Sequence, residues 1–151
     1  MKRHANNLAF ILAAALVLCL PGGCAGADPS TLKTYDFGRD KVPSITSVVG
    51  DRKVTSEATE GKNEFPSKQY TYQSSSATDD LGQYFSLLPE QGWIMAGDGY
   101  DLDEPTGAAQ FVKESADSGQ ILVILITYDE NGYTINITKL VAEIAHLGAD
   151  S

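Results

Sequence analysis

Two hydrophobic periods divide this chain. Leu81, Tyr84, Phe85 and Leu88 fall at i, i+3, i+4 and i+7, which is one stripe on a helix. The spacing predicts a helix over residues 78–89. Thr78 reads as its N-cap, and Ser76-Ala77-Thr78-Asp79 also fits the capping-box spacing. Asp79 and Asp80 would lie in the first turn, where carboxylates complement the helix dipole. Pro89 disfavours helical geometry at Leu88 and weakens the last turn, and Gly92 reads as the stop. Gly82 costs roughly 1 kcal/mol against alanine, so this helix depends on what it packs against.

Elsewhere the period is two. The strongest strands are 121–128 and 132–139, joined through Asp129-Glu130-Asn131-Gly132. Asn131-Gly132 is a type I′ hairpin signal. Pairing these strands puts Ile124, Ile126, Ile135 and Ile137 on one side, suited to a core beneath the helix stripe. Val123, Leu125, Thr134, Asn136 and Thr138 share the other. Ile121, Val123 and Leu125 are apolar for open water. Coverage by the chain before residue 60 is the expectation, with a partner or a ligand as alternatives, so these three residues mark a possible contact surface. Weaker strand patterns run over 45–49, 53–59, 69–73, 93–96 and 109–113. The fold class that follows is α+β: an antiparallel sheet of about five to six strands with one amphipathic helix on one face.

The chain begins differently. Residues 1–7 are short and basic, and an apolar run extends from Leu8 to Leu20. Thirteen residues at ~1.5 Å each span about 20 Å, short of the roughly 30 Å hydrocarbon core of a bilayer. This order reads as a secretory signal over 1–23. Leu20-Pro21-Gly22-Gly23-Cys24 resembles the site where lipoproteins are cut before an acylated cysteine. Ala25-Gly26-Ala27 offers a rival exit before Asp28, which would give a freely secreted chain. Lipidation at Cys24 is favoured, because it accounts for a lone exported thiol. Two or three acyl chains would then anchor the protein to a membrane. Residues 24–43 carry Gly, Pro and Asp with little periodicity and read as a tether. Residues 44–147 read as a single domain and 148–151 as a tail.

Charge narrows the function classes. After the leader, 9 Lys+Arg face 20 Asp+Glu, a net −11. A nucleic-acid binder needs a basic footprint, so no nucleic-acid partner is expected. Cys19 leaves with the leader, and Cys24 alone offers neither a disulfide nor a cysteine zinc site. His146 is the one histidine after the leader, which disfavours a Ser-His-acid centre. P-loop and dinucleotide glycine patterns are missing, and no cofactor is expected. A pair of carboxylates could still serve a small hydrolase. Asp98, Asp101, Asp103 and Glu104 form the densest acidic cluster and are weak candidates for a hard cation, though the spacing is not that of an EF-hand. The bland reading, a solvated hairpin tip, is favoured. Trp93, Tyr70 and Tyr72 suit sugar stacking or a groove, but core and cross-strand packing are the commoner roles. Arg52-Lys53 is too small for a phosphate site.

Val48-Val49-Gly50-Asp51-Arg52-Lys53-Val54-Thr55, Tyr70-x-Tyr72, the helix ending in Gly92-Trp93, Val112-Lys113-Glu114-Ser115 and Ile135-Asn136-Ile137 together resemble a loose group of small exported bacterial proteins, many of them lipoproteins. The likeness covers residues 44–140. It implies export and carries no activity, cofactor or catalytic residue. The expectation is a non-enzymatic binding or accessory module of the cell envelope, held on the outer face of the cytoplasmic membrane, with an envelope protein as its possible partner. A secreted small-ligand or cation binder is the alternative.

Overall fold

The computed structural model describes residues 28–60, 65–142 and 144. Its centre is a six-stranded antiparallel sheet in the order β3-β4-β8-β7-β6-β5. The strands are β3 (Lys53–Glu60), β4 (Ser67–Gln73), β5 (Ile94–Ala96), β6 (Gly107–Glu114), β7 (Gln120–Asp129) and β8 (Gly132–Val141). A smaller hairpin precedes them, β1 (Thr34–Phe37) and β2 (Asp40–Pro43), followed by the one-turn helix α1 (Thr46–Val49). Helix α2 (Ala77–Glu90) carries the chain from β4 to the far edge at β5, and a meander returns it to β8 beside β4. The fold is α+β, as the period changes predict.

The β7–β8 register pairs Ile124 with Ile137 and Ile126 with Ile135, and all four are fully buried. Leu81, Tyr84, Phe85 and Leu88 of α2 are buried in the same core. The turn between the strands differs from expectation. Asp129 pairs with Gly132, so the two-residue loop is Glu130-Asn131, and neither loop residue has a positive φ. A type I′ turn needs positive φ at both loop positions. Gly132 is required for a different reason: a Cβ there would lie 2.0 Å from the Tyr72 carbonyl oxygen. Helix α2 has its N-cap at Ser76, two residues before Thr78 and without a side-chain capping bond, and runs through Pro89 to Glu90. It ends in a Schellman motif. Trp93 N–H donates to Leu88 O at 3.1 Å and Gly92 N–H to Pro89 O at 3.0 Å, with Gly92 at φ 82°.

Two expectations are corrected. Residues 45–49, rich in β-branched side chains, form the buried corner Ile45 and then α1 rather than a strand. Ser47 donates through both N–H and Oγ to Ser44 O, and the Ser44 and Thr46 hydroxyls both donate to Leu32 O. These local bonds satisfy the backbone as a sheet ladder would, so β-branched composition decided burial, not strand geometry. Second, the stretch read as a tether is part of the domain from Asp28 onward. Tyr35 and Val42 are fully buried, and the Tyr35 ring stacks on Tyr70 at 4.7 Å. Tyr72 Oη donates to Pro29 O at 3.1 Å, and Arg52 N–H donates to Ser30 O at 3.1 Å.

Hairpin β1–β2, α1 and α2 all add their buried side chains to one core on the inner face of the sheet. Two buried ion clusters fasten this layer. Arg52 grips Asp80 through Nε at 2.7 Å and Nη2 at 2.6 Å, while Ser74 Oγ and Tyr133 Oη donate to the same carboxylate. Lys139 meets Asp40 at 2.9 Å and also bonds to Asp117, and Asp40 accepts from Ser115 Oγ and Ala116 N–H.

Candidate interaction surface

Side chains that point away from the core define the outer face. One row runs Ile94, Val112, Val123, Thr138, Ser67 across five strands. The next runs Ala96, Gln110, Leu125, Asn136, Gln69, and a third runs Ala108, Thr127, Thr134, Thr71. None of these residues is charged, in a chain of net charge −9. Glu114 and Asp129 stand at its ends, where β6 and β7 finish, and Glu60 of β3 continues the first row beyond Ser67.

The face has two halves. On β8 and β4 the polar groups bond to each other. Thr71 and Thr134 hydroxyls meet at 3.0 Å, Thr138 Oγ1 donates to Asn136 Oδ1 at 3.0 Å, and Ser67 Oγ donates to the same oxygen at 3.3 Å. On β5, β6 and β7 the face is mostly aliphatic, with Gln110 and Thr127 as its polar members. Ile121 and Val123 are half-buried by their sheet neighbours, Leu125 is 44% exposed and Ile94 is 54% exposed. Among the described residues, the segment 28–49 does not cover Ile121, Val123 and Leu125; its buried side chains pack on the opposite face. Among the described residues, none of the outer-face side chains joins the buried core. Ile94 and Val112 extend the patch, and sequence reasoning missed them because β5 is only three residues long and shows no alternation of its own.

The acidic loop does not gather. Asp98, Asp101, Asp103 and Glu104 are all exposed, and among the described residues no three acidic, His or Cys side chains converge as a metal cluster would. Asp101 instead shapes the loop: its Oδ1 accepts Asp103 N–H at 2.9 Å, and its carbonyl accepts the Tyr128 hydroxyl. Cys24 lies outside the described residues.

Buried carboxylates lie elsewhere, on the inner side. Burial pushes the Asp80 carboxyl up, but bonds from Arg52, Ser74 and Tyr133, with the Arg52 charge, outweigh it and hold the carboxyl below its usual value. Asp40 behaves alike: burial opposes ionisation, and Ala116 N–H, Ser115 and Lys139 overcome it. Burial raises Tyr133 above the ordinary phenol range and the adjacent Asp80 raises it further, so it stays a donor. The sequence held a signal for Asp80, which falls between Ala77 and Leu81 on the helix stripe itself. Two concavities complete the surface. A cleft of about 450 Å3 lies beside the β7–β8 turn, lined by Thr71, Thr127 and Thr134. A groove of about 640 Å3 lies where β2, the end of α2 and β6 meet, with Trp93 in its wall.

An open-faced α+β layer with its helices on one side is therefore the class these features define. Comparison with known protein families, curated proteins and solved structures returns no match, so function is argued from this chain's own chemistry.

Proposed function

We propose that the protein is a non-enzymatic binding or accessory module of the cell envelope, anchored to the outer face of the cytoplasmic membrane through Cys24. Its contact surface is the aliphatic half of the outer face, centred on Val123 and Leu125, and its partner is an envelope protein. One observation carries this reading: from β5 across to β4, three adjacent rows of the outer face hold no charge and expose the aliphatic side chains of Ile94 and Leu125. Cores of protein interfaces are depleted of charge in this way, and contiguous apolar patches on a soluble surface mark interaction sites. The carboxylates also favour a binding role. Asp40 and Asp80 are shifted down, whereas a general acid in glycoside hydrolysis needs its pKa raised.

A photo-crosslinking residue at Leu125, with one at Gln83 on the exposed side of α2 as control, tests the surface in the native host. The reading predicts one discrete adduct from position 125, none from 83, and loss of that adduct when Val123→Glu is added. Equal adducts from both positions would refute it. Cell fractionation tests the anchor: Cys24→Ala moves the protein from the membrane to the medium, and retention in the membrane fraction sinks the anchoring.

A further inference from the structure

We infer that the groove beside Trp93 is a binding site for a small amphipathic anion, an apolar body with one carboxylate-like head. Most of its wall comes from the inner side, from β2, the α2 terminus and the inward residues Lys113 and Leu122, while Ile94 and Glu114 border the outer face. At about 640 Å3 it falls within the size range of small-molecule sites. Trp93, Leu122 and Ile144 supply apolar lining. Arg39, Lys41 and Lys113 stand around them.

Charge is the discriminating observation. Three cationic residues line one groove in a chain with 11 Lys+Arg against 20 Asp+Glu. Asp40, which also borders the groove, is already matched by Lys139 at 2.9 Å. Glu114 is the remaining acid in the lining. The Arg39 and Lys41 side chains are 73% and 55% exposed in their pairs with Asp117 and Asp36, and such pairs are weak and exchangeable. Lys113 Nζ donates to Gln91 O at 2.6 Å, a carbonyl at the helix end, and retains further donors. The cations are therefore available to an incoming anion.

Trp93 adds a second, independent sign. It is 3% exposed, and its indole N–H is buried without a hydrogen-bond partner among the described residues. Buried donors are almost always paired, and an orphan needs an explanation. The Schellman turn fixes the backbone at Trp93, so the unpaired donor stays within the wall of the groove.

Trp93 is the only tryptophan, so its fluorescence reports this groove alone. The probes are decanoate and decyltrimethylammonium, matched in chain length and opposite in charge, each below its micelle threshold. Decanoate is expected to change the emission saturably, and decyltrimethylammonium is not. Arg39→Glu with Lys113→Glu is expected to weaken decanoate at least about tenfold, with the circular dichroism unchanged. Should that double variant fail to fold, raising the salt concentration on the wild-type chain replaces it, and binding is expected to weaken as the charges are screened. No saturable response to decanoate, an equal response to both probes, or a salt-independent and variant-independent affinity would each overturn the assignment.

Discussion

Asp80 shows how much one side chain can do in this fold. Its carboxylate accepts four hydrogen bonds, two of them from one guanidinium, and only 3% of the side chain is exposed. Removing one partner of a buried pair leaves the other uncompensated. Asp80→Ala is expected to cost about 3 kcal/mol, at the lower end of such losses because Arg52 keeps partial access to water. Urea unfolding at neutral pH measures it. The pH dependence follows from the same groups. Asp40 and Asp80 both ionise more readily folded than at their ordinary value of 3.8. As the pH falls, the unfolded chain takes up protons first. Their stabilisation is complete above that value and is lost as the pH drops through the lower folded values. Lys139 has the opposite sign. Its pKa is raised, because Asp117 and Asp40 outweigh burial, so its contribution holds below its ordinary 10.5 and fades as the pH climbs through the folded value. Urea midpoints are expected to fall steeply below about pH 4, and the Asp40→Asn, Asp80→Asn double variant to flatten that slope.

Hairpin β1–β2 is the element whose role is easiest to underestimate. Tyr35 packs on Tyr70, its hydroxyl meets Tyr72 Oη at 3.0 Å, and Val42 is fully buried. A chain beginning at Ser44 would uncover the Tyr70 and Tyr72 rings. It is expected to lose cooperative unfolding and to bind an apolar dye, whereas removing a true linker would change neither. The sheet makes a sharper contrast. Ile135→Ala should cost ~2–5 kcal/mol, while Leu125→Ala, one strand away on the outer face, should stay within about 0.5 kcal/mol. Chemical denaturation of the two variants checks both. These elements also explain what the sequence made legible. The long β7–β8 pair and the α2 stripe repeat their period often enough to be unambiguous, so the core face and the outward set at Ile121, Val123 and Leu125 could be assigned from spacing. Hairpin β1–β2 was hidden because each strand has four residues, offering only Tyr35-x-Phe37 and Val42 as alternation. Its Gly38-Arg39 loop, glycine first, carried the turn signal that would have found it. Ile45–Val49 misled because burial, satisfied by a helical turn, selects the same β-branched residues as a strand does.

For the molecule as a whole, asymmetry is the governing feature. Among the described residues, the helices and hairpin β1–β2 lie on one side, and the other is an antiparallel surface with a mostly aliphatic half and a bonded polar half. Its edges are protected against further strand pairing. β5 is three residues long, and β3 carries Lys53, Glu57 and Glu60 with a register shift between Val54 and Ser56. On the proposed readings, recognition would use the face and the groove, not strand addition. The groove could not be read from the chain, because Arg39, Trp93 and Lys113 come from three separate segments, the β1–β2 turn, the link after α2 and β6, that only the fold brings together.

The engagement of Pro29 and Ser30 with Tyr72 and Arg52 has a spatial corollary. From Cys24 to Asp28 there are only four peptide links, which reach at most about 14 Å when fully stretched. If Cys24 is acylated, this body cannot roam above the bilayer as a twenty-residue leader into the domain would permit. It would ride directly on the lipid headgroups, and whatever it recognises would have to come down to that layer.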